Sequence, residues 1–447
     1  MRERTRGPKG SLAVPLRLLG LVVRAVVGAP ARAARGTARR VADPGRQVVD
    51  YWASERVTMR QGFVAVCIAS MTSLIAGLTL AGMSGRIGEV KGLFVLIPVS
   101  IGMRGNIFGG LAARLGTAIH SGLFEVSRDR EGILYQNVYA ATLLTVGTSV
   151  AMGLLARGIA ALLHIDTMSV WDFIVVSLIG GLLSSIVVLA VTIVVSVGSF
   201  RRGWDLDSVG APLITAIGDV VTLPCLFAAS FLVDIDLVTP IVGGLALIAG
   251  VVSITHGWTA ALAIARRIVR ESFPVLCIAI VLDVLAGTVV EPRIEETFLP
   301  LPAFLIILPG FLENTGALGG ILSARLGSKL HLGAVTPSAR PDAVALLDGT
   351  IIVVLGFTVY LLTALATFTL SVVIGAAHPG ALTFLGTVLL GGMLATLVAS
   401  VIGYYAAITT YRFGLDPDNH TIPLVTSGMD LLGVICLVVA LGVFGVT

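Results

Sequence analysis

Residues 205–219 read DLDSVGAPLITAIGD, and residues 416–430 read DPDNHTIPLVTSGMD. The two stretches match at a constant shift of 211 residues, 416 minus 205. The matched residues are Asp205, Asp207, Pro212, Leu213, Thr215 and Asp219 in the first stretch, and Asp416, Asp418, Pro423, Leu424, Thr426 and Asp430 in the second. Each stretch begins polar and then carries one aspartate into a long apolar segment. The chain is therefore predicted to contain two copies of one unit.

The composition places both copies in a membrane. Of the 447 residues, 56% are hydrophobic and 13% are charged, whereas soluble domains are about 45–50% apolar and about 25% charged. The apolar runs are long enough to cross a hydrocarbon core of about 30 Å as helices. Strands of a membrane barrel would be shorter and would alternate in polarity. The predicted fold class is an all-α polytopic membrane protein.

Five apolar spans are predicted in each copy, and the pattern continues well beyond the opening stretch. The first-copy spans are 62–83, 93–119, 137–163, 171–198 and 209–232, and the second-copy spans are 272–290, 300–330, 345–375, 381–409 and 421–445. The shift is 211 residues in spans two, four and five but 210 in span one. All four cysteines, Cys67, Cys225, Cys277 and Cys436, fall in predicted spans, where we interpret them as small buried hydrophobic residues.

Four segments follow from this pattern. They are a basic arm (1–61), a first five-helix repeat (62–236), a linker helix with a basic inner loop (237–271) and a second repeat (272–447). The arm holds 13 of the 30 Lys and Arg residues and includes a predicted interfacial helix at 11–29. Such an arm more often fixes topology and touches anionic lipid than binds nucleic acid. A transit peptide is an alternative interpretation of its Arg and Ala content.

The unmatched apolar run 237–256 decides the relative orientation of the repeats. A five-span unit repeated directly would be inverted, and one additional crossing restores the same orientation. Eleven spans are therefore predicted, in two parallel repeats, with the two termini on opposite sides. The inner connections are predicted to hold Arg114, Arg128, Arg130, Arg201, Arg202, Arg266, Arg267, Arg270, Arg325, Lys329, Arg340 and Arg412. This pattern predicts that the N-terminus lies in the cytoplasm. The protein itself is expected in the plasma membrane.

The matched aspartates are the first candidate site. Thr215 lies four residues before Asp219 and Thr426 four before Asp430, so each pair shares one helix face. An ionisable group at the centre of a span costs roughly 2.5–3.5 kcal/mol, which marks it as a functional candidate. If the fifth spans meet at a pseudo-twofold axis, two carboxylates converge and repel unless a cation or proton lies between them.

All-oxygen ligands favour a hard divalent cation, Mg²⁺ or Ca²⁺. A wide site with few carboxylates suits Mg²⁺ best, because this ion gives up its waters reluctantly. The structural alternative is that each aspartate only forms hydrogen bonds or caps a broken helix.

The second spans are predicted to provide further lining. MRGN (103–106) and ENTG (313–316) each follow a proline, where freed backbone carbonyls can line a cavity. Gly105, Asn106, Asn314 and Gly316 are therefore candidate ion-binding positions. Arg104, whose counterpart is Thr315, is expected either to pair with an acid or to extend to an interface.

The remaining polar residues have less specific interpretations. Asp205, Asp207, Asp416 and Asp418 are expected at the inner mouth, as a cation-attracting ring or as solvated helix caps. Asp283 lies inside a span without an acidic counterpart and is a candidate for ion coupling. His120 and His331 are interpreted as interfacial, and Glu291, Glu295 and Glu296 as a solvated outer loop.

Both motifs, each present twice and in order, resemble the MgtE-type magnesium channels and transporters. The two copies joined by an additional helix resemble the duplicated solute-carrier branch of that superfamily. The resemblance implies a magnesium pathway between two five-helix units, with the membrane aspartate at Asp219 and Asp430. It places the glycine–asparagine segment at Gly105 and Asn106, and only loosely at 314–320. With 61 residues before the first span, the cytoplasmic sensing and CBS domains of MgtE-type proteins are not expected here.

Two other classes of function remain open on the sequence. One is a Na⁺- or H⁺-coupled secondary transporter of another cation or small substrate. The other is an intramembrane aspartyl protease, which AIGD (216–219) faintly resembles, although a protease does not need aspartates at equivalent repeat positions. The predicted protein is not an enzyme and has no resident cofactor, with Mg²⁺ as the transported ion. Its expected partners are divalent metal ions and the bilayer, and its two repeats form an internal pseudo-dimer.

Overall fold

The computed structural model describes residues 48, 51–127, 129–202, 206–415 and 420–446. The first repeat contains α1 (Arg56–Gly82), α2 (Ser84–Glu89), α3 (Leu96–Arg104), a π-helical turn (Gly105–Gly109), α4 (Gly110–His120), α5 (Ile133–Leu162), α6 (Val170–Arg202) and α7 (Leu206–Ser230). After α8 (Val238–Thr259), the second repeat contains α9 (Ala263–Val290), α10 (Ala303–His331), α11 (Ala343–Ile374), α12 (Ala381–Phe413) and α13 (Ile422–Val443).

The all-α membrane fold predicted from the sequence is confirmed. Ten helical stretches in the described part of the chain are long and apolar enough to cross a membrane. The span of α3, the π turn and α4 counts as one of them. α7 is also apolar, with a shorter apolar part at Ile214–Ser230, and completes five spans in the first repeat. The predicted interfacial helix at 11–29 and Asp205, Asp416 and Asp418 lie outside the described residues.

Two backbone details differ from the sequence prediction. α9 begins at Ala263, so Arg266, Arg267 and Arg270 lie in its first turns rather than in a basic loop. In the second repeat, α10 continues through Pro309 without a break. The irregular segment expected in both second spans is thus limited to the π turn of the first repeat.

The first helix of each repeat packs against the opposite repeat. α1 contacts α10 and α11 of the second repeat in addition to its own α7. α9 contacts α3 and α5 of the first repeat in addition to its own α13. We call the α1–α10 and α9–α3 contacts the two crossings. They relate the halves by a pseudo-twofold axis, as expected of parallel repeats.

A glycine brings the backbones together at each crossing. A Cβ atom at Gly77 would lie 1.8 Å from the carbonyl oxygen of Ile306. A Cβ atom at Gly287, the counterpart of Gly77 at the 210-residue shift, would lie 2.8 Å from Cα of Val95. No side chain fits at either position. Small residues at such positions are what allow helices to pack this closely in membranes.

The chain segment before α1 is tied to the second repeat by an ion-pair network. The Tyr51 hydroxyl donates to Asp348 Oδ1 at 2.7 Å. Asp348 also pairs with Arg325 at 2.7 Å and with Lys329 at 2.8 Å, and Arg325 reaches Glu55 at 3.2 Å. The network lies at the end of the helices where α10 stops and α11 starts. It fixes the entry of α1 against its partners across the pseudo-twofold axis.

The opposite face also carries basic residues. Arg86 and Lys91 lie between α1 and α3, but each is paired with an acid, Glu89 at 3.0 Å and Asp166 at 2.7 Å. The hydrogen-bonded pair with Asp166 raises the pKa of Lys91 and lowers that of Asp166. The positive charges of Arg86 and Lys91 are therefore offset by acids on this face.

α8 closes the side of the first repeat. It packs on α5, α6 and α9, and the face pointing away from them exposes a row of large apolar side chains at helical spacing. These are Ile241, Leu245, Ile248, Val251 and Val252. A helix with such a face fits acyl chains rather than water.

We predict that Gly77→Leu disrupts the α1–α10 crossing, because the leucine side chain meets backbone atoms that cannot rotate away. The expected loss is about 1–3 kcal/mol or more of stability, measured as a lower thermal midpoint and loss of the monodisperse peak in detergent. Gly82→Leu is the matched control, since nothing lies within 4 Å of a Cβ atom there. Equal behaviour of the two variants would contradict the crossing.

Candidate functional site

The threonines of the two fifth spans rest on glycines of the second spans. A Cβ atom at Gly105 would lie 3.5 Å from Thr215 Cγ2, and one at Gly109 would lie 3.7 Å from Thr215 Oγ1. In the second repeat, a Cβ atom at Gly316 would lie 3.5 Å from Thr426 Cγ2. The structure thus brings together the predicted Gly–Thr pairs in each repeat, as a close helix contact.

One of these threonines also contacts the other repeat. Thr426 Oγ1 donates to Asn106 Oδ1 at 3.4 Å, so two predicted site residues meet across the pseudo-twofold axis. Within the described part of the chain, the buried Nδ2 atom of Asn106 has no hydrogen-bond partner. A small pocket of about 10 Å³, roughly the space of one water molecule, lies beside Asn106 between the repeats and is lined also by Arg114, Ser272 and Pro423.

Four carboxyl groups from four different helices come together at the interface of the repeats. Asp219 on α7 is 3% exposed and interacts electrostatically with Asp430 on α13, which is partly buried. Glu313 on α10 interacts electrostatically with both aspartates, and Asp283 on α9 lies close to Asp430. We call Asp219, Asp283, Glu313 and Asp430 the carboxyl cluster.

Sequence reasoning missed Glu313 as a site residue. It was noticed only as part of ENTG (313–316), whose backbone was expected to contribute. The signal that finds it is the one applied to Asp219 and Asp430, an ionisable side chain in a span. Asp283 was identified as a candidate for ion coupling, and the structure places it against Asp430.

The carboxyl cluster lacks compensating partners. Asp283 is fully buried, and in the described part of the chain neither of its Oδ atoms has a hydrogen-bond partner. The same holds for the nearby Ser427 hydroxyl, whereas Glu313 accepts a hydrogen bond from Ser73. Buried polar atoms of native proteins are nearly always satisfied, by water or an ion where protein groups do not reach.

The four groups are not arranged to hold a bare ion. Among the described residues, no three His, Cys, Asp or Glu side chains are positioned to coordinate one metal ion directly. Mg²⁺ usually keeps several of its waters and binds through one or two carboxylates. The arrangement therefore fits a divalent cation that is contacted through its hydration shell.

Asn314, another predicted site residue, is engaged in packing. Its side chain is fully buried. Its Oδ1 accepts from Ser70 of α1 at 2.8 Å, and its Nδ2 donates to Thr363 of α11 at 3.3 Å. These bonds hold the α1–α10 crossing together, and they leave little of the amide for an ion.

Arg104 pairs neither with an acid nor extends to an interface, so both expectations for it were wrong. It is 1% exposed, and its guanidinium donates to the Gly181 carbonyl at 3.0 Å and to the hydroxyls of Ser185 and Ser149. In the described structure no carboxylate forms an ion pair with it. The guanidinium points into its own repeat, toward α5 and α6.

In the second repeat, different side chains occupy the position that corresponds to the Arg104 environment. At the 211-residue shift, Ser149 and Gly181 correspond to Tyr360 and Gly392. A Cβ atom at Gly392 would lie 2.3 Å from the Tyr360 ring, so this ring covers the glycine as the Arg104 guanidinium covers Gly181. Arg104 and Ser149 of the first repeat are thus replaced by Thr315 and Tyr360 in the second.

Comparisons with known proteins agree with this architecture. A family model described as "Divalent cation transporter", MgtE, matches residues 97–229 and again residues 308–440. Solute carrier family 41 member 3 of Rattus norvegicus is 23% identical over 376 residues, covering 77% of this chain and 78% of the relative. Solute carrier family 41 member 2 of Homo sapiens is 24% identical over 379 residues, covering 77% of this chain and 63% of the relative. No solved structure gives a significant match.

We predict that Asn314→Ala lowers stability by about 1–3 kcal/mol, because it leaves the buried hydroxyls of Ser70 and Thr363 without their shared partner. Asn106→Ala is the comparison variant, since in the described residues its side chain has a single hydrogen bond, at 3.4 Å with Thr426, and it should change stability little. Thermal unfolding in detergent measures both. A larger loss in Asn106→Ala than in Asn314→Ala would reverse the assignment.

Proposed function

The chain belongs to the MgtE family of divalent cation transporters, and from that premise we propose that it moves Mg²⁺ along a pathway between its two repeats. The observation that carries the proposal is that Asp219 and Asp430 lie within electrostatic range of each other. These matched aspartates come from equivalent helices of the two repeats and interact at their interface. In this proposal they form the central cation site.

The electrostatics of the interface support a cation as cargo. Four carboxyl groups gather there, and the nearest buried cationic side chain on the lining spans, Arg104, donates to groups of its own repeat instead. In surroundings of low dielectric, uncompensated carboxylates attract a cation much more strongly than they would in water. A divalent ion is favoured because it offsets the repulsion between two carboxylates at once.

Neutral oxygen atoms beside the pocket suit the water shell of a hydrated ion. Asn106 lines the pocket and accepts a hydrogen bond from Thr426, and both side chains offer neutral oxygen atoms. We propose that they and the adjacent Gly105, Thr215 and Gly316 contact the water shell of Mg²⁺ as it passes. Asn314 is proposed only to support the helix packing beside these residues.

The inner mouth and the orientation complete the proposal. Asp205 and Asp416 are proposed to attract cations where the fifth spans begin. The N-terminal arm is proposed to lie in the cytoplasm and the protein in the plasma membrane, because the face that holds Arg114, Arg325 and Arg412 is the more basic one. A Na⁺- or H⁺-coupled mechanism remains the alternative for the same site.

We predict that Asp219→Asn and Asp430→Asn each reduce Mg²⁺ flux into proteoliposomes at least about tenfold, the equivalent of 1.4 kcal/mol in binding. Asparagine keeps the shape of the side chain but removes the charge that offsets the ion. Asp172→Asn is the matched control. Asp172 is also a buried aspartate, but it accepts from Ser169 at the start of α6 and should transport like wild type.

Flux is followed with a magnesium-sensitive dye under imposed Na⁺ and pH gradients, so the coupled alternative is tested in the same preparation. Wild-type flux that needs neither gradient supports the magnesium pathway. Normal flux in both single variants and in the double variant would show that the aspartates are structural.

We predict that a cysteine at Ser54 is labelled by a membrane-impermeant maleimide only after permeabilisation of the cells. A cysteine added after Thr447 should be labelled in intact cells, because eleven crossings separate the two positions. Both are placed in a background in which the four native cysteines are replaced by alanine. Labelling of both from the same side would overturn the parallel arrangement.

A further inference from the structure

Asp283 and Glu313 are the two members of the carboxyl cluster without an acidic counterpart in the other repeat. We propose that they are nevertheless equivalent cation-binding groups, which occupy corresponding places at the two crossings but are supplied by different helices. The inference rests on the proposed function and extends it. The site would take a hydrated divalent cation with four carboxyl groups rather than two.

In the repeat alignment, the counterpart of each acid is a small residue without a carboxyl group. Asp283 minus the 210-residue shift of span one gives Ser73, and Glu313 minus the 211-residue shift of span two gives Gly102. Each crossing therefore contains one first-span residue and one second-span residue from this set. At one crossing the acid stands on the second span, and at the other it stands on the first span.

The contacts at the two crossings correspond. At the α1–α10 crossing, the Ser73 hydroxyl donates to a carboxylate oxygen of Glu313. At the α9–α3 crossing, a Cβ atom on Gly102 would lie only 2.6 Å from Asp283 Oδ2. The absence of a side chain at Gly102 is what makes room for the aspartate. The same pair of positions meets in both halves, with the carboxyl group moved from one helix to the other.

Each unmatched acid lies near a matched aspartate. Glu313 interacts electrostatically with both Asp219 and Asp430, and Asp283 lies close to Asp430. Both unmatched acids therefore join the matched pair at the interface, although the unmatched residues do not align in the two repeats. A purely structural acid would have no reason to recur at the corresponding place on another helix.

A second observation indicates a ligand at the Asp283 side. Ser427 is fully buried one helix turn from Asp430, and in the described residues its hydroxyl has no hydrogen-bond partner. It lies beside Asp283, whose two carboxylate oxygens are also unpartnered. Buried polar groups in native proteins are nearly always satisfied, and water or an ion can do so here. The waters of a hydrated cation satisfy both kinds of group.

The test moves a carboxyl group from α9 to α3 by substitution at Asp283 and Gly102. Asp283→Ser should weaken Mg²⁺ binding and flux at least about tenfold. The double variant Asp283→Ser/Gly102→Glu should restore both, because it rebuilds at this crossing the Ser–Glu pair of Ser73 and Glu313. Asp283→Ser/Gly102→Gln is the matched control, with the same volume and no charge, and should stay low.

Binding is measured by titration calorimetry of the purified protein with MgCl₂, and flux in proteoliposomes, after thermal unfolding confirms folded protein. Rescue by glutamate but not by glutamine supports the proposal. Wild-type behaviour of Asp283→Ser overturns it, and so does equal rescue by glutamate and glutamine, which would show that only packing matters.

The mirror variant keeps the test decisive if Gly102→Glu does not fold. Glu313→Gly should lose binding, and Glu313→Gly/Ser73→Asp should regain it, whereas Glu313→Gly/Ser73→Asn should not. Failure of the aspartate to restore binding overturns the equivalence. A wild-type protein that carries no divalent cation would contradict the proposed function itself, which is a separate result.

Discussion

The backbone contact between the first helix of each repeat and the second helix of the other determines the rest of the structure. Gly77 and Gly287 allow this contact, and the polar residues one helix turn earlier, Ser73 and Asp283, point to the same face. Close approach of the helices therefore delivers polar groups to the repeat interface in both halves. The carboxyl cluster is a consequence of helix packing rather than of a dedicated loop, which suits a site that lies at membrane depth.

The two repeats have equivalent helices but unequal electrostatics. The space above the span-four glycines holds a guanidinium in the first repeat and a tyrosine ring in the second. On the basic face, Arg325 pairs with the carboxylate of Asp348, whereas Arg114 donates to the amide of Asn137. In each case a change at one position is matched by a change in its neighbour. Packing is preserved while charge is redistributed, so the two repeats share one architecture with different internal polarity.

The sequence predicted the features that depend on spacing and polarity. The repeat, the additional helix at 237–256 and the placement of Asp219 and Asp430 all follow from a constant shift and from apolar run lengths. The exchange of α1 and α9 between repeats could not be predicted, because a shift relates residues by symmetry without saying which helices touch. The environment of Arg104 was missed for the same reason, since its partners are serines and a carbonyl whose positions only the fold defines. α10 continues past Pro309, although proline removes a backbone donor, and it packs against α1, α11, α12 and α13.

The exchanged first helices also set the order in which the site can be assembled. α1 is synthesised some 240 residues before α10, the helix that supplies its partners. An unsatisfied serine hydroxyl is costly in the bilayer. Ser70 and Ser73 each have a hydrogen-bond acceptor in their own helix. Ser70 and Ser73 also donate to the carbonyls of Val66 and Ala69 in their own helix, at 2.8 Å and 3.1 Å. α1 can therefore stand in the membrane as a complete span during translation, and each hydroxyl proton is then shared with an acceptor on α10 when the last third of the protein emerges from the ribosome.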